Sequence, residues 1–305
     1  MSGLHRARVA RLSWAALCVV VLASGTCSKP APPREIPLAP LTLAGTEYLT
    51  PWLRAELLAF RDRYPDADSI RLEANGSARG VEALVNGEVE MSLMLRELTN
   101  PEVEAAVKRD GLQAYPVAWD AIAVIVHRSC PIEQISRTEL SAIYSGESTE
   151  WAPLGWRTGG AIVALVPGPE LGVFAYVEQT LLGDRSIAST VFAPPGEAEV
   201  VDVVASRPNA IACVSRPFVD GRVRALRISQ AIGLPYVALD RETLVTRRYP
   251  LLRAVSIATS AKPRQAASDF ITFVSGIEGQ RIVARHGYVP ATVPVQIVRT
   301  SEGVE

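Results

Sequence analysis

Histidine and cysteine are scarce in this chain, and neither residue type forms a motif. Three His are scattered at positions 5, 127 and 286, and the four Cys show no C-x-x-C spacing. A structural or catalytic zinc site needs three or four such ligands at characteristic spacing. The sequence therefore argues against a metal site.

Runs of basic residues are also missing. The chain has 31 Lys and Arg against 32 Asp and Glu, a net charge of −1. Residues 1–26 hold three Arg and no acid, so a chain that starts at Cys27 has a balance of −4. Proteins that bind nucleic acid usually carry a basic patch or stripe. We therefore exclude nucleic acid as a partner.

Catalytic and nucleotide-binding motifs are absent as well. The sequence contains no G-x-S-x-G elbow, no H-E-x-x-H, no P-loop and no G-x-G-x-x-G. We therefore expect no cofactor and no enzymatic activity. What the chain does have is length and apolar content: 305 residues with 48% hydrophobic and 21% charged residues, which is typical of a globular protein with room for two domains.

The N-terminus has the pattern of a targeting segment. Arg6, Arg8 and Arg11 form a positive region, and an apolar core of twelve residues, 12–23, follows with Ser13 as its single polar residue. Twelve residues are too few to span a membrane as a helix and suit a signal peptide. We assign residues 1–26 to a signal peptide of an exported protein.

Two cleavage patterns fit the end of this segment. Ser24-Gly25-Thr26-Cys27 resembles a bacterial lipoprotein box, in which Cys27 would carry the lipid, although Thr26 stands where Gly or Ala is usual. Ordinary cleavage after Ala23-Ser24-Gly25 is the alternative. Residues 27–40 contain five Pro and are interpreted as an extended tether.

Cys130 and Cys213 are the two Cys that remain beyond this N-terminal region. An exported protein lies in a compartment where disulfides form. A disulfide and two buried free thiols both fit the sequence, because nothing in it places the two residues within bonding distance.

Residues 75–98 predict a turn, a helix, a second turn and a buried strand. Asn75-Gly76-Ser77 is a turn signal, and Asn86-Gly87 is typical of a helix end. Residues 91–95 form an apolar run of strand length, and Arg96 follows at the edge where open α/β sheets bind ligands. The free N–H groups of the helix start would face an anion. An ordinary loop with a solvated Arg is the alternative.

Strand and helix patterns alternate from residue 41 onwards, which favours an α/β fold with a mostly parallel sheet. Residues 113–118 predict one strand. Residues 120–127 are strongly apolar and β-branched, and they predict a second strand that leaves the first domain and enters the next. Ser136 and Glu139 have the spacing of a capping box at a helix start.

Several local patterns together resemble the periplasmic phosphate-binding protein family of ABC importers. They are spread over residues 41–290 and comprise the turn at 45–51, Gly76-Ser77-Ala78-Arg79-Gly80, the strand at 119–126, the residues Leu140, Ile143, Tyr144, Gly146, Trp151, Leu154 and Gly155, the segment Tyr249-Pro250-Leu251, and the pattern Phe270-Ile271, Phe273, Glu278-Gly279-Gln280 and Gly287-Tyr288-Val289-Pro290.

This resemblance implies a two-lobe type II periplasmic-binding-protein fold with the ligand cleft between lobes joined by two crossing strands. The first lobe would comprise residues 41–118 and 245–295, the second lobe 119–244, and residues 296–305 a C-terminal tail. It also implies a monomer that hands a small ligand to an ABC permease. The protein would be periplasmic or on the outer face of a bacterial membrane, attached only through the lipid on Cys27.

The resemblance also implies a ligand site, which consists of Thr46, Glu47, Ser77, Ala78, Arg96, Gly168 and Glu170. Thr46, Ser77 and Arg96 match the family's anion-binding positions. Glu47 and Tyr48 replace a Ser and a Thr, and Met94 and Leu95 replace a polar pair. In the second lobe, residues 164–170 lack the Arg, Ser and Thr of the family pattern, and Pro169 removes an N–H donor.

The two glutamates decide how well phosphate would bind. Phosphate carries a charge of about −1.5 to −2 at pH 7. A carboxylate ~4 Å away repels a unit negative charge by roughly 4 kcal/mol at an effective dielectric of about 20. This is on the order of a thousandfold in affinity. Glu47 and Glu170 therefore disfavour tight phosphate binding if both point into the cleft. If both point to solvent, they have little effect on phosphate binding.

Three functions follow from these observations. The first is a solute-binding lipoprotein of an ABC importer, with phosphate or a related oxyanion as the default ligand. The second is a protein with the same fold that has lost phosphate binding and serves as an extracytoplasmic partner or sensor domain. The third is an enzyme that uses Glu47 and Glu170, which the absence of catalytic motifs disfavours.

Overall fold

The computed structural model describes residues 41–45, 49–65, 69–74, 76–96, 98–108 and 111–291. The strands are β1 Leu41–Gly45, β2 Ile70–Ala74, β3 Met91–Met94, β4 Leu112–His127, β5 Gln134–Ser136, β6 Val163–Leu165, β7 Ala210–Ser215, β8 Val223–Ala225, β9 Arg227–Ser229, β10 Leu252–Ser260 and β11 Val289–Pro290. The helices are α1 Thr50–Arg63, α2 Ser77–Asn86, α3 Asn100–Val107, α4 Arg137–Tyr144, α5 Gly172–Tyr176, α6 Glu197–Ser206, α7 Arg241–Val245, α8 Gln265–Ser275 and α9 Ile277–Arg285.

The first lobe is built on β1, β2, β3 and β10. Strand β1 pairs in parallel with β2 and β3, because helices α1 and α2 carry the chain back to the same edge each time. The apolar faces of α1, α8 and α9 cover the sheet, with Trp52, Phe60 and Phe270 fully or almost fully buried. A second cluster packs α2 on the other side. Both faces of this sheet are therefore buried, as parallel sheets require.

Strands β4 and β10 cross between the lobes and lie antiparallel to each other. Strand β4 pairs with β10 over residues 112–121 and with β7 over 122–126. The prediction of a mostly parallel sheet is therefore wrong, and the sheet is mixed. The physical reason is that a strand that leaves one lobe and a strand that returns to it run in opposite directions. The prediction of two strands at 113–118 and 120–127 is also wrong, since β4 continues through Trp119.

The second lobe is built on β4, β7 and β6. Strand β6 pairs in parallel with β7, and α6 packs on one face while α4 covers part of the other. Tyr144 and Trp151 are fully buried there, and the Tyr144 hydroxyl donates to the Leu165 carbonyl at 2.6 Å. Trp151 Nε1 donates to the Asn209 carbonyl at 2.9 Å. Both large aromatic residues thus bury apolar area without leaving a polar atom unpaired.

Helix ends follow the sequence signals closely. Ser136 and Glu139 form the predicted capping box at the start of α4, and Thr99 with Glu102 forms another at α3. Gly87 ends α2 with a φ of 74°, a left-handed conformation that Gly adopts easily because it has no Cβ. The two capping boxes stabilise the starts of α3 and α4 where they occur.

Cys130 and Cys213 are both buried and unbonded to each other, so the alternative of two free thiols is the one observed. Within the described ranges, no helix has the length and apolar content that a membrane span needs. The predicted signal peptide at 1–26, Cys27, the tether at 27–40 and the tail at 296–305 lie outside the described residues.

Candidate functional site

A cavity of about 800 Å³ lies between the two lobes, against the crossing strands. The first lobe lines it with residues that follow β3 and with the start of α2, the second lobe with the segment around α5, and the crossing strands with Trp119 and residues 252–254. The lining residues are Gly76, Arg79, Leu95, Arg96, Leu98, Thr99, Trp119, Pro169, Glu170, Leu171, Gly172, Ala175, Tyr176, Gln179, Thr180, Leu252, Arg253 and Ala254.

The start of α2 opens onto this cavity through Gly76 and Arg79. Gly76 has a φ of 82°, and its N–H donates to the Gly45 carbonyl at 2.9 Å, which joins the turn to the end of β1. Gly80 lets α2 lie close to the sheet, since a Cβ there would come within 2.8 Å of Ser92 Oγ. The first N–H groups of an α-helix have no acceptor within the helix. This end of α2 can therefore offer backbone donors to an anion.

Arg96 follows β3 and is held by Glu102 of α3. Its Nη1 donates to Glu102 Oε2 at 2.8 Å and its Nη2 to Oε1 at 2.6 Å, a bidentate pair. Glu102 Oε2 also accepts from the Thr99 backbone N–H at 2.8 Å, as part of the capping box. Burial alone would raise the pKa of Glu102, but the hydrogen bonds from Arg96 and Thr99 lower it to about 2. Arg96 therefore reaches the cavity with its charge largely balanced.

The second lobe contributes the segment between β6 and α5. Gly168 is buried, and its carbonyl accepts from the Leu171 N–H at 2.9 Å in a tight turn. Pro169 and Glu170 are exposed and line the cavity. This wall therefore offers an acid where an anion site would place hydroxyls.

A buried polar cluster joins the crossing strands to the second lobe. Arg253 of β10 donates from Nε and Nη2 to Asp120 Oδ2 of β4, at 2.9 and 2.6 Å. Ser215 of β7 donates from Oγ to the same oxygen at 2.8 Å, and its backbone N–H donates to Glu197 of α6. All four side chains are buried, with relative exposures of 1% for Asp120, 2% for Glu197, 3% for Ser215 and 6% for Arg253.

This cluster is only partly satisfied. Arg253 Nη1 and Asp120 Oδ1 are buried and have no hydrogen-bond partner among the described residues. Burial, and next the neighbouring Asp120 carboxylate, raise the pKa of Glu197 to about 7. Glu197 thus sits in an environment that disfavours its charged form.

The predicted site residues fall into three groups. Arg96 and Glu170 line the same cavity, while Gly168 lies beside it in the buried turn. Ser77 and Ala78 begin α2 at the cavity, but their side chains are outside the described part of the chain. Thr46 and Glu47 lie outside it altogether. Of the two apolar replacements, Leu95 lines the cavity and Met94 packs in the core behind it.

Arg253 and Asp120 were missed by the sequence reasoning. The available signal was a single charge inside each of two apolar strands, because charged residues are almost never fully buried unless they are paired. Within the described ranges, no group of three or more His, Cys, Asp or Glu is arranged to hold a metal ion.

Comparisons with known proteins place these features in context. A sequence-family model described as a PBP superfamily domain matches residues 28–276. The phosphate-binding protein PstS of Pseudomonas aeruginosa is 24% identical over 272 residues, which cover 84% of this chain and 84% of that protein. PstS of Bacillus subtilis is 24% identical over 270 residues, which cover 86% and 84%.

A solved structure shows which fold the chain shares. It is that of a Clostridium perfringens protein assigned as a phosphate ABC transporter substrate-binding protein, with bound phosphate. The two chains are 25% identical and superpose with a TM-score of 0.70, over 83% of this chain and 100% of that one. The expected two-lobe α/β fold is thereby confirmed.

Proposed function

Because this chain belongs to the phosphate-binding-protein family of the PBP superfamily, we propose that it is an extracytoplasmic solute-binding protein of an ABC importer. It holds a small ligand between its lobes, with phosphate or a related oxyanion as the default, and passes it to an ABC permease. The observation that carries the proposal is the cavity of about 800 Å³ between the lobes, which is lined by the start of α2 and by three arginines, Arg79, Arg96 and Arg253.

Several further features belong to this proposal. The lobes comprise residues 41–118 with 245–295, and 119–244. The protein is an exported monomer, periplasmic or on the outer face of a bacterial membrane, and Cys27 carries the lipid that anchors it. It acts by binding and not by catalysis, in keeping with a family of substrate-binding transport proteins.

The proposed ligand contacts come from both lobes. The first lobe offers Arg96, the backbone donors at Ser77 and Ala78, and the hydroxyls of Thr46 and Ser77. The second lobe offers Gly168 and the acid Glu170, which suits a ligand that carries a proton to share. Glu47 would act in the same way as Glu170 if it points into the cleft.

The second candidate function is a partner or sensor domain that has lost phosphate binding. Two observations favour it. Arg96 already uses both terminal nitrogens on Glu102, and Pro169 and Glu170 line the wall where hydroxyl donors would be needed. Each of these lowers the affinity expected for a doubly charged anion.

Calorimetric titration of the chain from residue 28 onwards with inorganic phosphate, at low salt and neutral pH, tests the proposal. We expect micromolar or tighter binding together with a rise in melting temperature. No heat and no thermal shift at millimolar phosphate would favour the second function or a different ligand.

The variant Arg96→Ala sharpens this titration. We expect it to abolish phosphate binding while the melting temperature stays nearly unchanged, because the ion pair with Glu102 is partly exposed, at 20% for each side chain. Arg224→Ala is the matched control, since Arg224 donates to the Ile132 carbonyl at 2.8 Å in the second lobe and does not line the cavity. Unaltered affinity in Arg96→Ala would remove Arg96 from the site.

A further inference from the structure

We infer that Arg253, held by Asp120, binds the charged head of the ligand, and that this head is a singly charged oxyanion on an apolar body. The inference rests on the proposed binding function and specifies its ligand class. It assigns the anchoring role to a crossing strand, in place of the second-lobe segment at 164–170 that lacks Arg, Ser and Thr.

The first argument is the unpartnered donor. The Arg253 side chain is 5% exposed, yet its Nη1 has no hydrogen-bond partner among the described residues. A buried donor on a charged group is costly to leave unpaired, and nearly all such groups in folded proteins have a partner. A ligand oxygen at Nη1 would supply the missing acceptor.

The second argument is location. Arg253 and its neighbours Leu252 and Ala254 line the cavity. An ideal Cβ on Gly172 would lie 2.8 Å from Arg253 Nη1 and 3.0 Å from Leu95 Cδ1. Gly172 and Leu95 also line the cavity, so Nη1 lies directly behind the wall that they form. Because Gly172 has no side chain, only its backbone and Leu95 separate Nη1 from the cavity.

The third argument is that the guanidinium is fixed in advance. Its Nε and Nη2 are bound to Asp120 Oδ2, and Nη2 also lies 3.2 Å from Ser215 Oγ. These three residues come from β10, β4 and β7, the centre of the sheet. A donor held in this way loses little side-chain entropy when a ligand binds, which favours affinity. Arg96, by contrast, must share its nitrogens with Glu102.

The charge of the head group follows from the neighbours of Arg253. Asp120 already faces the guanidinium, and Glu197 lies 3.2 Å from the Ser215 Oγ that bonds Asp120. Glu170 lines the same cavity. A doubly charged anion would add two negative charges to a site with these carboxylates, whereas a single charge adds one. The arrangement therefore favours a carboxylate over a phosphate dianion.

The size and lining of the cavity indicate the rest of the ligand. A tetrahedral oxyanion displaces the volume of only two or three waters, each about 30 Å³. The cavity measures about 800 Å³ and includes Leu95, Leu98, Trp119 and Leu252 in its walls. Pockets of this size and composition usually hold larger ligands that are mostly apolar. A small organic acid uses both the buried cation and the apolar walls.

The test uses two probes with apolar bodies and different charges, hexanoate and phenyl phosphate, with inorganic phosphate as reference. At pH 8 the phosphate ester carries nearly two charges, since its second pKa is about 6. We expect calorimetry on the wild-type chain to give at least tenfold tighter binding of hexanoate than of phenyl phosphate. Tighter binding of phenyl phosphate would overturn the assignment of a single charge.

Two variants test the anchoring residue. Arg253→Met with Asp120→Asn removes the cation without leaving its partner charged, and we expect a loss of hexanoate affinity of about 10- to 100-fold, the range for a hydrogen bond to a charged group. Gly172→Ala keeps every charge and places a methyl group against Nη1 on the side that faces the cavity, and we expect a comparable loss. Arg224→Met is the control, and its affinity should equal that of the wild type.

The outcomes separate the two proposals. If the folded double variant and Gly172→Ala both bind hexanoate as the wild type does, Arg253 is a structural residue and the inference fails. If inorganic phosphate binds equally well to the wild type and to both variants, the binding function stands and the inference again fails. If none of the three probes binds the wild type, the proposed function fails and the inference fails with it.

Discussion

Two arginine–carboxylate pairs lie at the cavity, and they differ in sequence separation, in exposure to solvent and in how many carboxylate oxygens they use. Arg96 and Glu102 are six residues apart, 20% exposed, and joined by two parallel hydrogen bonds. Arg253 and Asp120 are 133 residues apart, 5% and 1% exposed, and joined through a single carboxylate oxygen. The first pair is satisfied and the second leaves Nη1 and Oδ1 unpartnered among the described residues.

This difference shows how burial changes the role of the same chemical pair. Water screens the exposed pair, so its contribution to stability is small and its partners can separate when a ligand competes. The buried pair is expensive to separate because either charge alone would remain in a medium of low dielectric. We therefore regard Arg96–Glu102 as an adjustable pair and Arg253–Asp120 as a fixed one.

Breaking the buried pair should have the largest effect. Asp120→Ala leaves Arg253 charged, buried and without its carboxylate, so we expect a loss of about 3 to 5 kcal/mol in the free energy of unfolding. Urea denaturation measures it, and Glu102→Ala is the matched control at the exposed pair, with an expected loss of about 1 kcal/mol or less. Equal losses in the two variants would mean that burial does not distinguish the pairs.

The titration of Glu197, which bonds to Ser215 in the buried cluster, should have the next largest effect on stability. The pKa of Glu197 is raised from 4.5 to about 7, so the folded state binds a proton that the unfolded state releases between these values. Stability from this group is present below pH 4.5 and is lost as the pH rises through 7. The total is roughly 3 kcal/mol at 1.36 kcal/mol per unit.

Glu197→Gln isolates this contribution. Thermal unfolding from pH 4.5 to 8 should show a smaller decrease in stability with pH in the variant than in the wild type. Glu56 in the first lobe provides the comparison, because burial raises its pKa to about 8 and its part of the decrease should persist in Glu197→Gln. Identical pH profiles for wild type and variant would contradict the assignment to Glu197.

Removing the charge of Glu102 from the Arg96–Glu102 pair should have the smallest effect on stability. It should lower stability slightly and strengthen phosphate binding. Glu102→Gln keeps the shape of the side chain and an oxygen for the Thr99 N–H but removes the charge, so we expect a loss of about 1 kcal/mol or less, from the ion pair alone. Because the variant removes the carboxylate that competes for Arg96, phosphate affinity measured by calorimetry should rise several-fold. Unchanged or weaker affinity would indicate that Arg96 does not act on the ligand.

The local structure could be predicted from the sequence, because its causes lie within a few residues. The helix ends at Gly87 and Ser136 depend on turn and capping residues in the same segment. The run at 91–94 is a buried strand because three of its four residues are large and apolar. The position of Arg96 after that strand, at the carboxyl edge of the sheet, follows from the same pattern and places it at the cavity.

The buried pair and the cavity were decided by the tertiary structure alone. Strands β4 and β10 run antiparallel because the chain crosses between the lobes twice, and only their pairing sets Arg253 beside Asp120. Likewise, no local pattern shows that Glu102 would pair with Arg96 or that Gly172 would pack directly against Arg253. The sequence by itself determined the α/β class, most of the elements, the family and which charges exist. The tertiary structure decided which charges are neutralised, because that depends on distance in space and on exclusion of water.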